Sequence, residues 1–199
     1  IGYADNEHAG AWQNVLCFMG DDGNNNTHMQ TADKVATMVE TNHQGYQLKK
    51  IYWDAYTRTS SSTGYSYPDV TRLIKQQMES GALMMNYSGH GAPYAFSHEL
   101  VMKLADFEAA SSMKLPLWVT ASCDIMPFDG QEENIGEVAM YDDCGGAIAF
   151  FGTTRTVYAS YNRPMNQQFM RYVLGSFGGE RTSIGEAARL AKNAFASST

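Results

Sequence analysis

The chain has 199 residues, 44% apolar and 18% charged, with a formal net charge of −7. That length and balance fit one globular domain with a sizeable core and exclude wholesale disorder. The acidic balance excludes a general nucleic-acid binder, which needs a basic face, and no apolar run approaches the ~20 residues that span a bilayer. The chain starts at Ile1 with neither an initiator methionine nor a signal peptide, and it reads as a piece of something longer.

Residues 1–13 are polar and turn-like, a lead-in to a first strand at Asn14–Met19. The Gly/Asp/Asn stretch 20–26 is a loop, and Ala32, Val35, Ala36 and Val39 then recur at helical spacing to about Asn42, with Thr27 as N-cap. Gln47–Trp53 is a second strand and the Ser/Thr-rich 57–67 is irregular. Pro68 opens a helix to about Ser80 whose apolar stripe is Val70, Leu73, Ile74 and Met78. Strand three ends at the His90 loop. Glu99–Ser112 is helical in character, and strand four, from Leu115, runs to Ala121 before Ser122 and Cys123. A loop at 127–134, a short helix at Ile135–Tyr141, a fifth strand at Gly146–Phe151 and two final helices, Asn162–Leu174 and Ser183–Phe195, complete the chain. Strands and helices alternate throughout. The pattern predicts one α/β domain over 1–199, a mostly parallel sheet with helices on both faces.

The chemistry concentrates at two strand ends. The run Ala82–Tyr87 leads into Ser88-Gly89-His90-Gly91, and Leu115–Ala121 leads into Ser122-Cys123-Asp124. Open α/β sheets bind ligands beyond the carboxyl ends of their strands. If the two strands are neighbours, an imidazole and a thiol share one rim, and a Cys/His dyad can attack a carbonyl. The amides of Gly91 and Cys123 are candidate oxyanion donors, and the small Gly89 lets a substrate backbone come close. A carboxylate at the end of strand one would orient His90; Asp21 is the candidate, with Asp22 and His28 as alternatives. The loop Thr153-Thr154-Arg155-Thr156-Val157-Tyr158 is a candidate wall for the residue before the scissile bond.

Of the three cysteines, Cys17 lies in an apolar run and Cys144 follows two aspartates, which raise a thiol pKa. No CxxC pair exists, and His8, His28, His43, His90 and His98 are scattered without ligand spacing. The 21–26 loop supplies oxygens but lacks the EF-hand order. Neither a metal site nor a cofactor is expected.

Together, Asn86-Tyr87-Ser88-Gly89-His90-Gly91 and Val119-Thr120-Ala121-Ser122-Cys123 resemble the histidine and cysteine motifs of gingipain-type cysteine peptidases, family C25. The closer likeness within the family is to the PorU-type sortases of the Bacteroidota type IX secretion system. It is carried by Gly10–Asn14, Asp21–Met29, Lys50–Tyr56, Tyr67–Val70, Gly145–Ala149, Thr153–Arg155 with Val157-Tyr158, and Gly185–Asn193. The resemblance implies a caspase-like three-layer fold, with Cys123 as nucleophile and His90 as its partner. It implies a catalytic domain of a larger cell-surface protein at the outer membrane, working beside secretion components. Its substrate would be the C-terminal signal of exported cargo, with a lipopolysaccharide amine as a possible acceptor. The alternatives are a secreted gingipain-like endopeptidase of broader specificity and a surface domain that binds peptide without cleaving it. The surroundings of Cys123, Asp124–Asp129, are not those of gingipains, so Arg or Lys specificity is not implied.

Overall fold

The computed structural model describes residues 3, 5–62, 64–141, 145–177 and 180–197. Five parallel strands form the central sheet: β1 (Val15–Gly20), β2 (Gln47–Tyr52), β3 (Met84–Ser88), β4 (Leu117–Ala121) and β5 (Ala149–Phe151), in spatial order β5-β4-β3-β1-β2. Every pairing in this sheet is parallel. The connecting helices are α1 (Gly23–Asn42), α2 (Pro68–Ser80), α3 (Leu104–Glu108), α4 (Ile135–Tyr141), α5 (Ala159–Val173) and α6 (Ile184–Ala196).

The inner strands are apolar on both faces because helices cover both, and side chains alternate between them. From β1, Cys17 and Met19 join Met85, Tyr87 and Trp118 in a core with Val70 and Ile74 of α2 and with Phe96, Phe107 and Ile135. Leu16 and Phe18 face the other way and join Met84, Leu117 and Val119 against Val35 and Val39 of α1, Phe169 of α5 and Ala187 of α6. The result is the α/β three-layer arrangement expected from the alternation of elements.

Four segments differ from the sequence expectation, the first being the fifth strand, which is confined to Ala149–Phe151 where Gly146–Phe151 was expected. Within α1, Asn24, Asn25 and Asn26 have φ of 53°, 54° and 62°, a left-handed turn that asparagine tolerates better than most residues. Thr27 is therefore not an N-cap; its hydroxyl donates to the Asn24 carbonyl at 2.6 Å. Thr59–Ser61 and Gly64–Ser66 pair as a small hairpin where irregular chain was expected. Glu99–Ser112 is helical only over Leu104–Glu108, because Ser97 and Leu100 have φ of 59° and 52° and Met102–Lys103 pairs with Ala95–Phe96. That pairing extends the hairpin Gly91–Ala92/Ala95–Phe96 that follows His90.

Candidate active site

Strands β3 and β4 are neighbours, paired from Met84 opposite Leu117 to Ser88 opposite Ala121. Gly89 N–H donates to the Ala121 carbonyl at 3.3 Å, which carries the pairing one step past the sheet. His90 and Cys123 each lie two residues beyond the Ser88–Ala121 pair, at equivalent positions on one rim. Adjacent strands are about 4.8 Å apart, so the backbones that carry the two residues leave the sheet side by side.

The His90 loop is clamped by Asp21, which is 1% exposed. Asp21 Oδ2 accepts the His90 N–H at 2.6 Å, and Oδ1 accepts the Gly23 N–H at 3.1 Å. Tyr87 Oη, in the core below, donates to the His90 carbonyl at 2.6 Å and lies 3.2 Å from Asp21 Oδ2. Burial and then the Asp21 charge push the Tyr87 pKa well up, so it remains a donor. Asp21 thus grips the main chain of His90, and its hydrogen bonds do not reach the imidazole.

The ring itself lies among imidazoles. His98 stacks on it at 4.3 Å between centroids, and His28 meets it edge-on at 4.9 Å. A Cβ on Gly23 would fall 2.6 Å from the His90 Cδ2 and 2.8 Å from its Nε2, so the ring needs glycine there. His28 Nε2 is 3.0 Å from Asn24 Nδ2 and 4.0 Å from Asp21 Oδ1. Burial holds the His28 pKa below its usual value; Asp21 opposes this, and the neighbouring His90 and His98 add to it. Asp22 turns elsewhere, accepting from Tyr67 Oη at 2.7 Å with Arg58 at 3.9 Å. Of the acidic and histidine candidates, Asp21 reaches the His90 backbone, His28 reaches its ring, and Asp22 reaches neither.

Cys123 is a free, half-buried thiol whose Sγ donates to the Val157 carbonyl at 3.3 Å. In this rotamer the sulfur is turned toward the 153–158 loop, and the His90 ring lies against Gly23. Before it, the Ser122 carbonyl accepts from Thr153 Oγ1 at 2.6 Å and from Asn162 Nδ2 at 3.2 Å. A trans peptide is planar, with C=O and N–H opposed. Anchoring the Ser122 oxygen therefore aims the Cys123 N–H to the opposite side, where no protein acceptor meets it among the described residues. Gly89 N–H, by contrast, is already spent on Ala121. Gly91 packs so closely that a Cβ would lie 2.9 Å from both the Cys123 carbonyl and Ser122 Oγ. Ser122 is fully buried and its hydroxyl has no partner among the described residues.

The loop after β5 runs beside this segment: Asp124 N–H donates to Arg155 O at 3.1 Å and Met126 N–H to Thr153 O at 3.0 Å. Thr154 is half-buried there, and Arg155 pairs with Asp129 at 2.6 Å. Tyr158 is 76% exposed. Cys17 is buried in the core, which pushes its pKa up to about 12, so it has no nucleophilic role. Cys144 lies outside the described residues. No group of three or more His, Cys, Asp or Glu among the described residues is arranged to hold a metal.

Such a sheet, with histidine and cysteine leaving adjacent parallel strands, is the caspase-like α/β fold of the gingipains. The family profile for peptidase family C25 matches residues 1–199, and the chain belongs to that family. Among solved structures, the chain is similar to the Arg-specific cysteine proteinase gingipain R (RgpB), with a TM-score of 0.74 at 15% identity over 94% of this chain and 43% of that one. The complex of Porphyromonas gingivalis RgpB pro- and mature domains gives 0.70 at 15% identity, covering 93% and 43%. The chain thus spans less than half the length of these gingipain chains. A comparison with curated protein sequences gave no significant match.

Several side chains at the site were not singled out by the sequence. Tyr87 reads as a core strand residue, Asn162 as the start of a helix and His98 as one more scattered histidine. Asn86 and Asn166 exchange two hydrogen bonds, at 2.9 and 3.0 Å, inside the core beneath the rim. An asparagine in the apolar run 82–87 was the available signal, since a buried amide requires a partner.

Proposed function

We propose that the chain is the catalytic domain of a PorU-type sortase, a cysteine endopeptidase/transpeptidase that removes the C-terminal signal of exported cargo through a thioester. The observation that carries this reading is the register: His90 and Cys123 leave neighbouring strands at the same height, on one rim. Membership of family C25 supports proteolysis, and the motif blocks of the sequence support the sortase branch.

The chemistry follows from the geometry. Rotation about χ1 frees the Cys123 sulfur from Val157, and His90 takes the thiol proton. The thiolate adds to the scissile carbonyl; a C–S bond forms and the carbonyl π electrons move onto oxygen. The Cys123 N–H, aimed by the anchored Ser122 carbonyl, receives that oxyanion together with the Gly91 amide. The intermediate collapses, the C–N bond breaks, and the imidazolium gives its proton to the departing amine. Water or an acceptor amine then attacks the thioester and releases Cys123. Asp21 serves by holding the His90 main chain, and Thr153 by holding Ser122. In this reading the acceptor is an amine on lipopolysaccharide, and the enzyme works at the outer membrane beside other secretion components.

A thiol-reactive peptide probe tests the assignment. Cys123→Ala should abolish labelling, and His90→Ala should slow it about 100-fold or more. Labelling at Cys17 or Cys144 in place of Cys123 would sink it. The sortase step is read from the mass of the new cargo terminus: an amide means transfer and a free acid means hydrolysis. The likeness to gingipain R supports a second reading, a broader endopeptidase, which predicts free acids and cleavage of unrelated proteins.

A further inference from the structure

On the side of Cys123 away from His90, a cavity of about 530 Å³ opens between the end of β5 and helices α5 and α6. Val157, whose carbonyl accepts from the Cys123 thiol, lines it, as do Thr120 and Ala121 at the end of the strand that leads to Cys123. Its walls include Met126, Phe151, Met165, Tyr161 and Phe195, the last two in edge contact at 5.8 Å. Among the described residues, no aspartate or glutamate lines it. Two cations do, Arg155 and Lys192. Arg155 is engaged by Asp129 at 2.6 Å, whereas the exposed Lys192 takes part in none of the ion pairs among the described residues.

We propose that this cavity receives a large apolar side chain (Leu, Met or Phe) from the residue on the acyl side of the scissile bond, and that it rejects Arg and Lys. The proposal rests on Cys123 as nucleophile and His90 as general acid. The spatial order β5-β4-β3 places His90 on one side of Cys123 and the cavity on the other. The leaving nitrogen must face the imidazole that protonates it, so the acyl half of the substrate extends the opposite way, into the cavity. The size suits one large side chain with part of its neighbour. An apolar, aromatic wall gains by burying hydrocarbon. A guanidinium there would lose its water with no carboxylate to meet it and with Lys192 repelling it. The gingipain R in the comparison is described as Arg-specific; the described lining of this cavity offers an arginine no carboxylate.

The test uses the full chain and peptidyl probes that carry a thiol-reactive group directly after a Phe, Leu, Ala, Glu or Arg residue. The rate of Cys123 labelling is read by mass spectrometry. Phe and Leu probes should react at least about tenfold faster than the Arg probe. Lys192→Glu, on the exposed face of α6, should raise the Arg rate relative to the Phe rate several-fold. Arg reacting as fast as Phe, or a Lys192→Glu profile identical to the parent, overturns the pocket and leaves the nucleophile standing. Failure of every probe to label Cys123 overturns the nucleophile and the pocket with it.

Discussion

Two donors converge on one carbonyl beside Cys123, Thr153 Oγ1 at 2.6 Å and Asn162 Nδ2 at 3.2 Å from Ser122 O. Their effect is on direction, since the same peptide carries the Cys123 N–H. Replacing both, as Thr153→Val with Asn162→Ala, should lower kcat about 10- to 100-fold with KM changed far less. An unchanged kcat would show that the peptide needs no anchor. His28 gives a prediction about pH. Its folded pKa is depressed by burial, so the unfolded chain binds the extra proton first as pH falls below about 6.5. Stability present above that pH is lost on the way down through the folded pKa, with a slope of at most about 1.4 kcal/mol per pH unit from this group. His28→Gln should flatten the fall of the denaturant midpoint between pH 7.5 and 5; an equally steep fall in the variant would refute the assignment. Individual roles of this kind were partly legible. His90 and Cys123 stand out because reactive side chains close two apolar runs. Thr153, read as a substrate wall, lines the cavity beyond the thiol and also bonds Ser122, and only the folded loop shows which carbonyl its hydroxyl meets.

Between elements, polar contacts do the positioning that the apolar layers leave undetermined. The Asn86–Asn166 pair fixes α5 against β3 at one height, since a slide would break both amide bonds at once. Asn166→Ala leaves a buried amide unpaired and should cost about 2–3 kcal/mol of unfolding free energy. The double replacement Asn86→Leu with Asn166→Leu should recover a good part of that loss; a double mutant as unstable as the sum of the singles would contradict it. Asp21 makes the equivalent tie between the ends of β1 and β3. The strands and most helices were readable from periodicity, and α2 and α4 match their expected bounds. Glu99–Ser112 misled because Leu100, Val101, Leu104 and Phe107 recur at helical spacing while the chain around them is pulled into a three-stranded hairpin. That small sheet runs from Gly91–Ala92 through Ala95–Phe96 to Met102–Lys103, in strands of two residues each, too short for an alternating pattern to show.

Taken whole, the molecule has two cores on the two faces of one sheet. Trp118 is fully buried on the first and Phe169 on the second. Trp118→Ala and Phe169→Ala should each cost about 3–5 kcal/mol. Both faces use the same strands, so each variant should still unfold in one transition; two separate transitions would mean that the cores are independent. The amino-acid sequence alone determined the α/β class, because alternation of short apolar runs with amphipathic segments is a local property. It also singled out His90 and Cys123 as candidates, because histidine and cysteine beside glycine and serine at strand ends are visible residue by residue. The tertiary structure alone decided strand order, which sets β3 beside β4 and so brings His90 and Cys123 to one rim. It decided as well that Asp21 holds a main chain instead of a ring, and that an apolar, cation-edged cavity lies beyond the thiol. Periodicity records which face a residue buries; it carries no record of which neighbour waits there, since that is fixed by contacts between segments distant along the chain.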